Sequence, residues 1–408
     1  MPLATRHTPG IYIEEVSRGP KPITAVGTST PGFVGDAPKA DAFPLVPQAV
    51  NNWSQFLAKF VPEEENVTGT DLSTAVFGFF ENGGTRCYVV NTAGEPTIQK
   101  GLEALRTLDE IAIVAAPGKT DPLSHSLVKS HCELAKDRVG IVDVIRDVDD
   151  LSRFEEVETV PSPDDDGPSG QAKSSRGGGG GKASETASGE GGLKLQPSAY
   201  VATYWPWITV FEPLSQTLVD APPSGHVAGM WARVDATRGV HKAPANEPIN
   251  ALNVTYRLTR DEQGVLNDNG INGIRLFARE GIRVWGARTS DDPASEWRYV
   301  SVRRLFNMIE ESIEEGTNWV VFEPNDRTLW KHIRRDIGAF LTRVWRDGAL
   351  MGATPEEAFF VKCDEETNPP EVIDAGELHA VIGLAPVKPA EFIVFEISQS
   401  TAGAEVTG

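Results

Sequence analysis

Apolar residues recur at helical spacing in two long segments near the C-terminal end of the chain. The first segment places apolar side chains at i, i+3, i+4, i+7 and i+11, at Val302, Leu305, Phe306, Ile309 and Ile313. We expect Gly316 to end this helix. The second carries its apolar face at Trp330, Ile333, Ile337, Phe340, Leu341 and Val344. Both patterns predict amphipathic helices.

Helix and strand patterns alternate in the first part of the chain. The apolar spacing predicts a helix over 72–80, closed by Gly83 and Gly84, and further helices over 98–108 and 122–136, with Asp121 as the N-cap of the last. Strands are predicted at 87–90, 111–115 and 139–145. This βαβαβ order is typical of a mostly parallel sheet covered by helices. The fold class expected for the whole chain is therefore α/β and α+β.

Residues 161–192 interrupt these patterns, because the segment contains runs of Asp, Gly and Ser and almost no apolar side chains. Such a composition predicts a mobile surface excursion. Strand-like runs resume at 200–211 and recur at 319–322, 359–363 and 378–384. We divide the chain into an N-terminal arm at 1–24, an α/β domain at 25–160, a flexible loop at 161–193, the remainder of that core at 194–300, an α+β domain at 301–388 and a C-terminal arm at 389–408.

The two ends of the chain each carry a strand-like segment without a hairpin partner beside it. β-forming residues lie at Ile11, Tyr12, Ile13, Glu14 and Val16 in one arm, and at Phe392, Ile393, Val394, Phe395 and Ile397 in the other. An unpaired apolar strand is an aggregation hazard that proteins normally blunt. We therefore expect these segments to pair with another part of the protein or with another chain.

Charge and cysteine content restrict the possible partners. The formal net charge is −20 over 408 residues, which argues against binding to nucleic acid, because phosphate neutralisation needs a cationic surface. The three cysteines are far apart and odd in number, as expected in a reducing compartment. No stretch has the pattern of a cleaved signal or the length of a membrane span. We expect a chain that folds in the cytoplasm and does not insert into a membrane.

No motif for chemistry fits its required spacing. If Gly181 and Lys182 were the end of a phosphate-binding loop, Arg176 would occupy the position of its first glycine and Ala183 that of the Ser or Thr. The loops at the expected strand ends, 91–96, 116–122 and 147–150, contain no dinucleotide-binding fingerprint. We predict no catalytic residue, no cofactor and no metal site.

Charged side chains on the two predicted C-terminal helices are candidates for contacts with another chain. Arg303 and Arg304 begin the first helix, whereas glutamates lie near its end, at 310, 311, 314 and 315; this order opposes the helix dipole. These side chains are either solvated or paired with charges on another subunit. The second helix carries a basic stripe, Lys331, Arg334, Arg335 and Arg346, which is a solvated face or a contact surface.

Six segments in order resemble the tail sheath proteins of contractile phages and related injection systems. They are PPSGHVAGMWARVD at 222–235, KAPAN at 242–246, GIRVWGART at 281–289, WRYVSVRRL at 297–305, VFEPN at 321–325 and PVKPAEF at 386–392. The resemblance extends over about 8–36 and 72–400, and fails at 161–192, where larger relatives carry an additional outward-facing domain.

The resemblance implies a structural subunit without an active site. Hexameric rings of such subunits stack helically around an inner tube, and contraction drives the tube through a target envelope. The implied partners are further copies of the chain, the inner tube, and baseplate and terminator or cap proteins, within a phage tail or tail-like particle. Residues 11–16 and 392–397 would add strands to a small sheet in a neighbour's C-terminal domain. Lys331, Arg334, Arg335 and Arg346 would face the tube.

Two alternatives stay open at the level of sequence. An enzyme could use the doubly wound half of the chain, and a different self-assembling tube or shell protein could use the same unpaired strands.

Overall fold

The structure is a computed structural model that describes residues 22–64, 67–160 and 191–394. The first part contains the alternating elements β1 Pro31–Gly35, β2 Gln48–Val50, α1 Trp53–Phe60, α2 Asp71–Glu81, β3 Cys87–Asn91, α3 Gln99–Leu105, β4 Ile113–Ala115, α4 Pro122–Ala135 and β5 Val139–Asp143. The predicted helices and strands of this part are confirmed, although several are shorter than expected. Asp121 caps α4 as predicted, since its carboxylate accepts a 2.9 Å bond from the Ser124 amide.

After the 3₁₀ turn Leu151–Phe154, the chain returns to the same sheet. The elements are β6 Val201–Trp205, β7 Ile208–Glu212, β8 Thr217–Ala221, α5 Ser224–Arg238, β9 Glu247–Pro248, β10 Asn253–Val254, α6 Arg260–Asp268, β11 Ile271–Phe277 and β12 Gly281–Val284. The strand-like run at 200–211 thus forms two strands, β6 and β7.

Among the described residues, the main sheet has nine strands in the order β2-β3-β1-β4-β5-β6-β11-β12-β9. The six strands from β3 to β11 are parallel, and the flanking pairs are antiparallel. Helices cover the sheet and its buried strands are rich in Val and Ile, as parallel sheets require. A separate three-stranded antiparallel sheet, β10-β7-β8, contributes side chains to the same apolar core. The expected mostly parallel, helix-covered sheet is confirmed.

The C-terminal region is built on two long helices. Its elements are α7 Val300–Thr317, α8 Arg327–Arg346, α9 Pro355–Ala358, β13 Phe359–Lys362, α10 Pro370–Asp374 and β14 Val381–Leu384. The inner faces of α7 and α8 form one apolar cluster with Ile23, which lies at the end of the N-terminal arm. Both amphipathic helices are therefore confirmed.

Three local predictions here are wrong. Gly316 does not end α7, which continues to Thr317. The segment 319–322 is not a strand: residues Asn318–Val320 form a 3₁₀ turn, and Phe322 has a positive φ of 68° that breaks extended geometry. Leu378 precedes β14, which begins only at Val381.

Candidate subunit interface

A two-stranded antiparallel sheet, β13 and β14, lies against the apolar face of α8. Phe359 pairs with Leu384 and Val361 with Ile382, and all four side chains pack on the C-terminal apolar cluster. The alternate positions point away, so that Phe360 is 56% and Val381 48% exposed. The Phe360 ring covers Gly383, where an added Cβ would lie 2.0 Å from the ring. This small sheet buries one face and leaves the other apolar and accessible.

The two strands are joined by a long connection that Asn368 holds in place. Its side chain is buried, donates to the His379 carbonyl at 2.9 Å and accepts from the His379 amide at 2.7 Å. This reciprocal pair brings the chain back beside β13. Within the described residues, β13 and β14 have no other strand neighbour. Both outer edges therefore offer unpaired backbone groups, the arrangement that accepts an added strand.

The described part of the predicted C-terminal strand is highly exposed. Phe392, Ile393 and Val394 are 76%, 72% and 89% exposed, and none of them is paired into a sheet. Phe395 and Ile397 lie outside the described residues, as do Ile11, Tyr12, Ile13, Glu14 and Val16. The structure thus shows three exposed apolar side chains in a row where the sequence predicts a donated strand.

The N-terminal segment is fixed to the C-terminal helices from Ile23 onward. The Ile23 side chain is buried, and its carbonyl accepts a hydrogen bond from the Arg343 guanidinium on α8. The Val26 amide donates to Ser312 Oγ on α7 at 3.0 Å. Arg343 was not among the predicted functional residues, since its position on the helix gave no sign of this long-range contact.

The basic stripe lies on the outer surface of α8. Lys331, Arg335 and Arg346 are exposed, and Arg334 is half-buried at the edge of the stripe. Arg335 contacts Asp336 at 2.9 Å; the Arg335 side chain of this ion pair is exposed, whereas that of Asp336 is largely buried. Arg327, which was not predicted, adds a fifth cation one helical turn before Lys331. Helical periodicity alone could have found it.

Arg303 and Arg304 are buried, so the prediction that they are solvated or meet another subunit is wrong. Arg304 forms a two-pronged ion pair with Asp235 on α5, through bonds of 3.0 Å and 2.5 Å, and lies over the Trp231 ring. Arg303 donates to Asn307 at 2.7 Å and Glu310 at 3.1 Å. Asn307 and Glu310 lie at i+4 and i+7 from Arg303 on α7, and this spacing could have predicted the bonds of Arg303.

The half-buried Glu311 has an unusual environment. Burial, followed by the nearby carboxylates of Asp137 and Glu315, raises the pKa of Glu311 to about 7. It therefore takes up a proton near neutral pH.

The carboxyl edge of the parallel sheet, where α/β proteins bind ligands, is occupied by the chain's own hydrogen bonds. The buried Asp143 carboxylate accepts from the Gly118 amide at 3.2 Å, the Ser224 amide at 2.9 Å and Ser224 Oγ at 2.6 Å. Burial raises the pKa of Asp143 to about 6. Asp143 thus joins three chain segments at the position of the expected crevice, which supports a scaffold role for this edge.

In the ranges that the structure describes, no helix is long and apolar enough to cross a lipid bilayer.

Comparison with known proteins places these features in one family. The family model of the phage tail sheath protein central domain matches residues 192–290, and that of the phage tail sheath C-terminal domain matches 292–400, together about half of the chain. The boundary between them falls between β12 and α7. The chain belongs to the tail sheath protein family.

Individual relatives agree with this assignment. The tail sheath protein of Vibrio phage KVP40 is 30% identical over 190 residues, which cover 45% of this chain and 27% of that protein. The sheath of an extracellular contractile injection system, PVC, in its contracted state is 29% identical, with a TM-score of 0.75 over 97% of this chain and 99% of that one. A chain of the sixfold-symmetrised baseplate of the anti-feeding prophage is 29% identical, with a TM-score of 0.70 over 97% and 100%.

The sheath chain therefore spans about a quarter of the curated phage relative, but nearly the whole of the two injection-system chains. The resemblance read from the sequence is confirmed. The phage relative and the contracted sheath chain are structural sheath proteins rather than enzymes.

Proposed function

We propose that this sheath protein is a structural subunit that polymerises by strand exchange into a contractile sleeve. The observation that carries the proposal is the small sheet β13-β14, which has two open edges, combined with the exposed Phe392–Val394 segment in the same chain. A neighbour's C-terminal strand at one edge and another neighbour's N-terminal strand, residues 11–16, at the other edge would complete the sheet. Each subunit would then both donate and accept strands.

The energetics favour exchange that occurs at several sites together. A six-residue strand gains several backbone hydrogen bonds worth about 1 kcal/mol each. It also buries about three apolar side chains at roughly 2 kcal/mol each. Ordering the strand costs about 1–2 kcal/mol per residue, so that a single exchange is marginal. Two donated strands and two acceptor edges per subunit make a lattice stable while a free subunit remains unassembled.

The architecture that we propose follows the related particles. Hexameric rings stack helically around an inner tube, on a baseplate and beneath a terminator or cap protein, within a phage tail or a tail-like particle assembled in the cytoplasm. The similarity to a sixfold-symmetrised baseplate chain supports the ring, and that to a contracted sheath supports contraction. Contacts between copies that do not close on themselves generate a helix, as a sleeve needs.

Contraction would be a rigid-body rotation of subunits between two packings, driven by energy stored at assembly rather than by nucleotide hydrolysis. The arms would act as hinges. The basic face of α8, formed by Arg327, Lys331, Arg335 and Arg346 with Arg334 at its edge, would contact an acidic surface of the tube. This movement would push the tube through a target envelope.

Negative-stain imaging of purified protein tests the proposal. We expect the full chain to form hollow cylinders wide enough to enclose a tube, and two truncations, without residues 1–20 and without residues 392–408, to lose them. Removal of residues 165–184, a deletion of matched length in the low-complexity segment, should leave the cylinders intact. Normal cylinders from either arm truncation would contradict strand exchange.

A further inference from the structure

Glu391 is tied to the core immediately before the exposed C-terminal segment. Its carboxylate accepts bonds from Arg288 Nε at 3.0 Å and Nη2 at 2.6 Å, and from the Tyr299 hydroxyl at 3.3 Å. The next residue, Phe392, is 76% exposed. Bidentate pairs of a guanidinium with a carboxylate are among the strongest side-chain hydrogen bonds. Glu391 is therefore bound to the core, whereas the next residue, Phe392, is exposed to solvent.

Arg288 lies beyond β12 and is itself held against the main sheet by hydrogen bonds. Its amide donates to Asn272 Oδ1 at 2.7 Å, and Asn272 Nδ2 donates to the Arg288 carbonyl at 2.8 Å. The same Asn272 side chain, on β11, also bonds the Thr203 carbonyl on β6 at 3.0 Å. Arg288 Nη1 donates to the Asn267 carbonyl at 2.9 Å, so that the guanidinium cannot swing freely. Glu391 is thus fixed to two parallel strands of the nine-stranded sheet.

The segment before Glu391 crosses between two parts of the fold. The Val387 amide still donates to the Ala349 carbonyl beyond α8, at 3.1 Å. Lys388, Pro389 and Ala390 then lead to Arg288, next to the main sheet. We propose that the Arg288–Glu391 pair is the anchor that sets where the exchanged C-terminal strand leaves the subunit. This inference rests on the proposed strand exchange and assigns Glu391 a positioning role in it.

The anchor controls how far the strand can reach. Without it, the free chain begins after Val387 rather than after Glu391, and gains four residues, or roughly 13 Å at 3.3 Å per residue. This additional length of unbound chain permits the strand to enter a neighbour's sheet in more than one register. A slip of one residue turns every side chain to the opposite face of the sheet, so Phe392 and Val394 would exchange faces with Ile393. The anchor therefore selects one register.

Spin labels on the free subunit test the anchor without assembly. We would place them at Ala278→Cys, in the exposed β11-β12 turn, and at Ala390→Cys; the native cysteines 87, 132 and 363 are buried. The two sites are separated by about the length of β11, roughly 20 Å at 3.3 Å per residue. We expect a narrow distance distribution that Glu391→Gln broadens at least about twofold, because the neutral amide loses the charge-assisted pairing. Glu371→Gln, at an exposed glutamate on α10, is the matched control and should leave the width unchanged.

A double-substitution comparison separates an anchor from general destabilisation. If Arg288 and Glu391 act as one unit, then Arg288→Gln with Glu391→Gln broadens the distribution no more than either change alone. Glu391→Asp, which keeps the charge but withdraws it by one methylene, is a milder variant with the same expected direction. An unchanged distribution in Glu391→Gln, with the thermal transition of the core preserved, would overturn the anchor.

Assembly gives the second measurement and separates the two proposals. We expect Glu391→Gln to form cylinders only at a subunit concentration roughly tenfold higher, or with irregular helical spacing, in keeping with the loss of a charged hydrogen bond. If removal of residues 392–408 leaves assembly normal, strand exchange fails whatever the spin labels report. If that truncation abolishes cylinders while Glu391→Gln builds them as the native chain does, the anchor's role in exchange is wrong and strand exchange stands.

Discussion

At the scale of single residues, Gly316 shows that a glycine can be present because of a contact with a distant part of the chain and not because a helix ends there. The sequence predicts it as the end of a helix, yet α7 passes through it. A Cβ at this position would lie 2.6 Å from Cγ1 of Ile23, the buried residue at the root of the N-terminal arm. Gly316 is therefore required for close approach of the arm to the helix.

Substitution of Gly316 by alanine tests this role. Alanine normally stabilises a helix interior relative to glycine, but here we expect Gly316→Ala to lower the free energy of unfolding by about 1–3 kcal/mol because it overpacks the contact with Ile23. Gly338→Ala is the matched control, since a Cβ at Gly338 on α8 would meet nothing within 4 Å. That change should raise stability by about 0.5–1 kcal/mol. Denaturant unfolding measures both, and stabilisation by Gly316→Ala would show that the contact is not tight.

At the scale of secondary-structure elements, α8 combines two faces with different tasks. Its apolar face is buried against α7, β13 and β14, and its outer face carries exposed cations in a chain whose net charge is −20. Asp326 caps the helix, accepting bonds from the Thr328 and Leu329 amides at 2.8 Å. Since Lys331 and Arg335 are exposed on the outer face, away from the apolar cluster, their charge can be changed while the helix is kept.

Charge reversal on this face tests the proposed contact with the tube. We expect the combined change of Lys331, Arg334 and Arg335 to Glu to leave the subunit folded but to abolish its co-assembly with the inner-tube protein, because attraction to an acidic surface becomes repulsion. Co-sedimentation of tube and sheath provides the measurement. The control reverses three exposed arginines elsewhere, at 257, 260 and 279, with the same change in net charge. Equal loss in both variants would mean that total charge, rather than the α8 face, governs recruitment.

At the scale of the whole molecule, buried carboxylates couple the stability of the fold to pH. Asp143 links the segments around Gly118 and Ser224, and burial raises its pKa from 3.8 to about 6. Between these two values the folded chain holds a proton that the unfolded chain has released. Folding is therefore favoured as the pH falls through 6, and this contribution is lost as the pH rises above it. The raised pKa of Glu311, about 7, acts in the same direction at slightly higher pH.

We accordingly expect the thermal stability of the free subunit to decrease as the pH is raised from 5 to 7. Asp143→Asn should lower stability throughout, since an amide cannot accept all three of the native hydrogen bonds, and should also flatten the slope over this range. One proton contributes up to about 1.4 kcal/mol per pH unit. Asp149→Asn, at an exposed position, should leave the slope unchanged. A slope in Asp143→Asn equal to that of the native chain would show that Asp143 does not bind the proton.

Features that depend on nearest neighbours along the chain could be read from the sequence. The amphipathic patterns of α7 and α8, the Asp121 cap and the alternation of helices and strands all follow from local spacing and local hydrogen bonds. The exposed run Phe392 to Val394 could be found in the same way, because an apolar strand without a neighbouring partner is visible in the sequence itself. The strands β13 and β14 were also predicted, but not that they pair with each other.

Contacts between distant positions were decided only by the tertiary structure. Arg304 pairs with Asp235 across 69 positions, and Arg288 with Glu391 across 103. No periodicity relates such residues, and helical spacing alone left Arg303 and Arg304 looking like surface charges. Burial depends on which elements pack together, and this in turn depends on the order of strands in the sheet. Local spacing was enough to predict the elements and the apolar segment around 392–394, because both depend on neighbouring residues. The packing of those elements set where the sheath protein's charges are buried and where Glu391, just before that segment, is held.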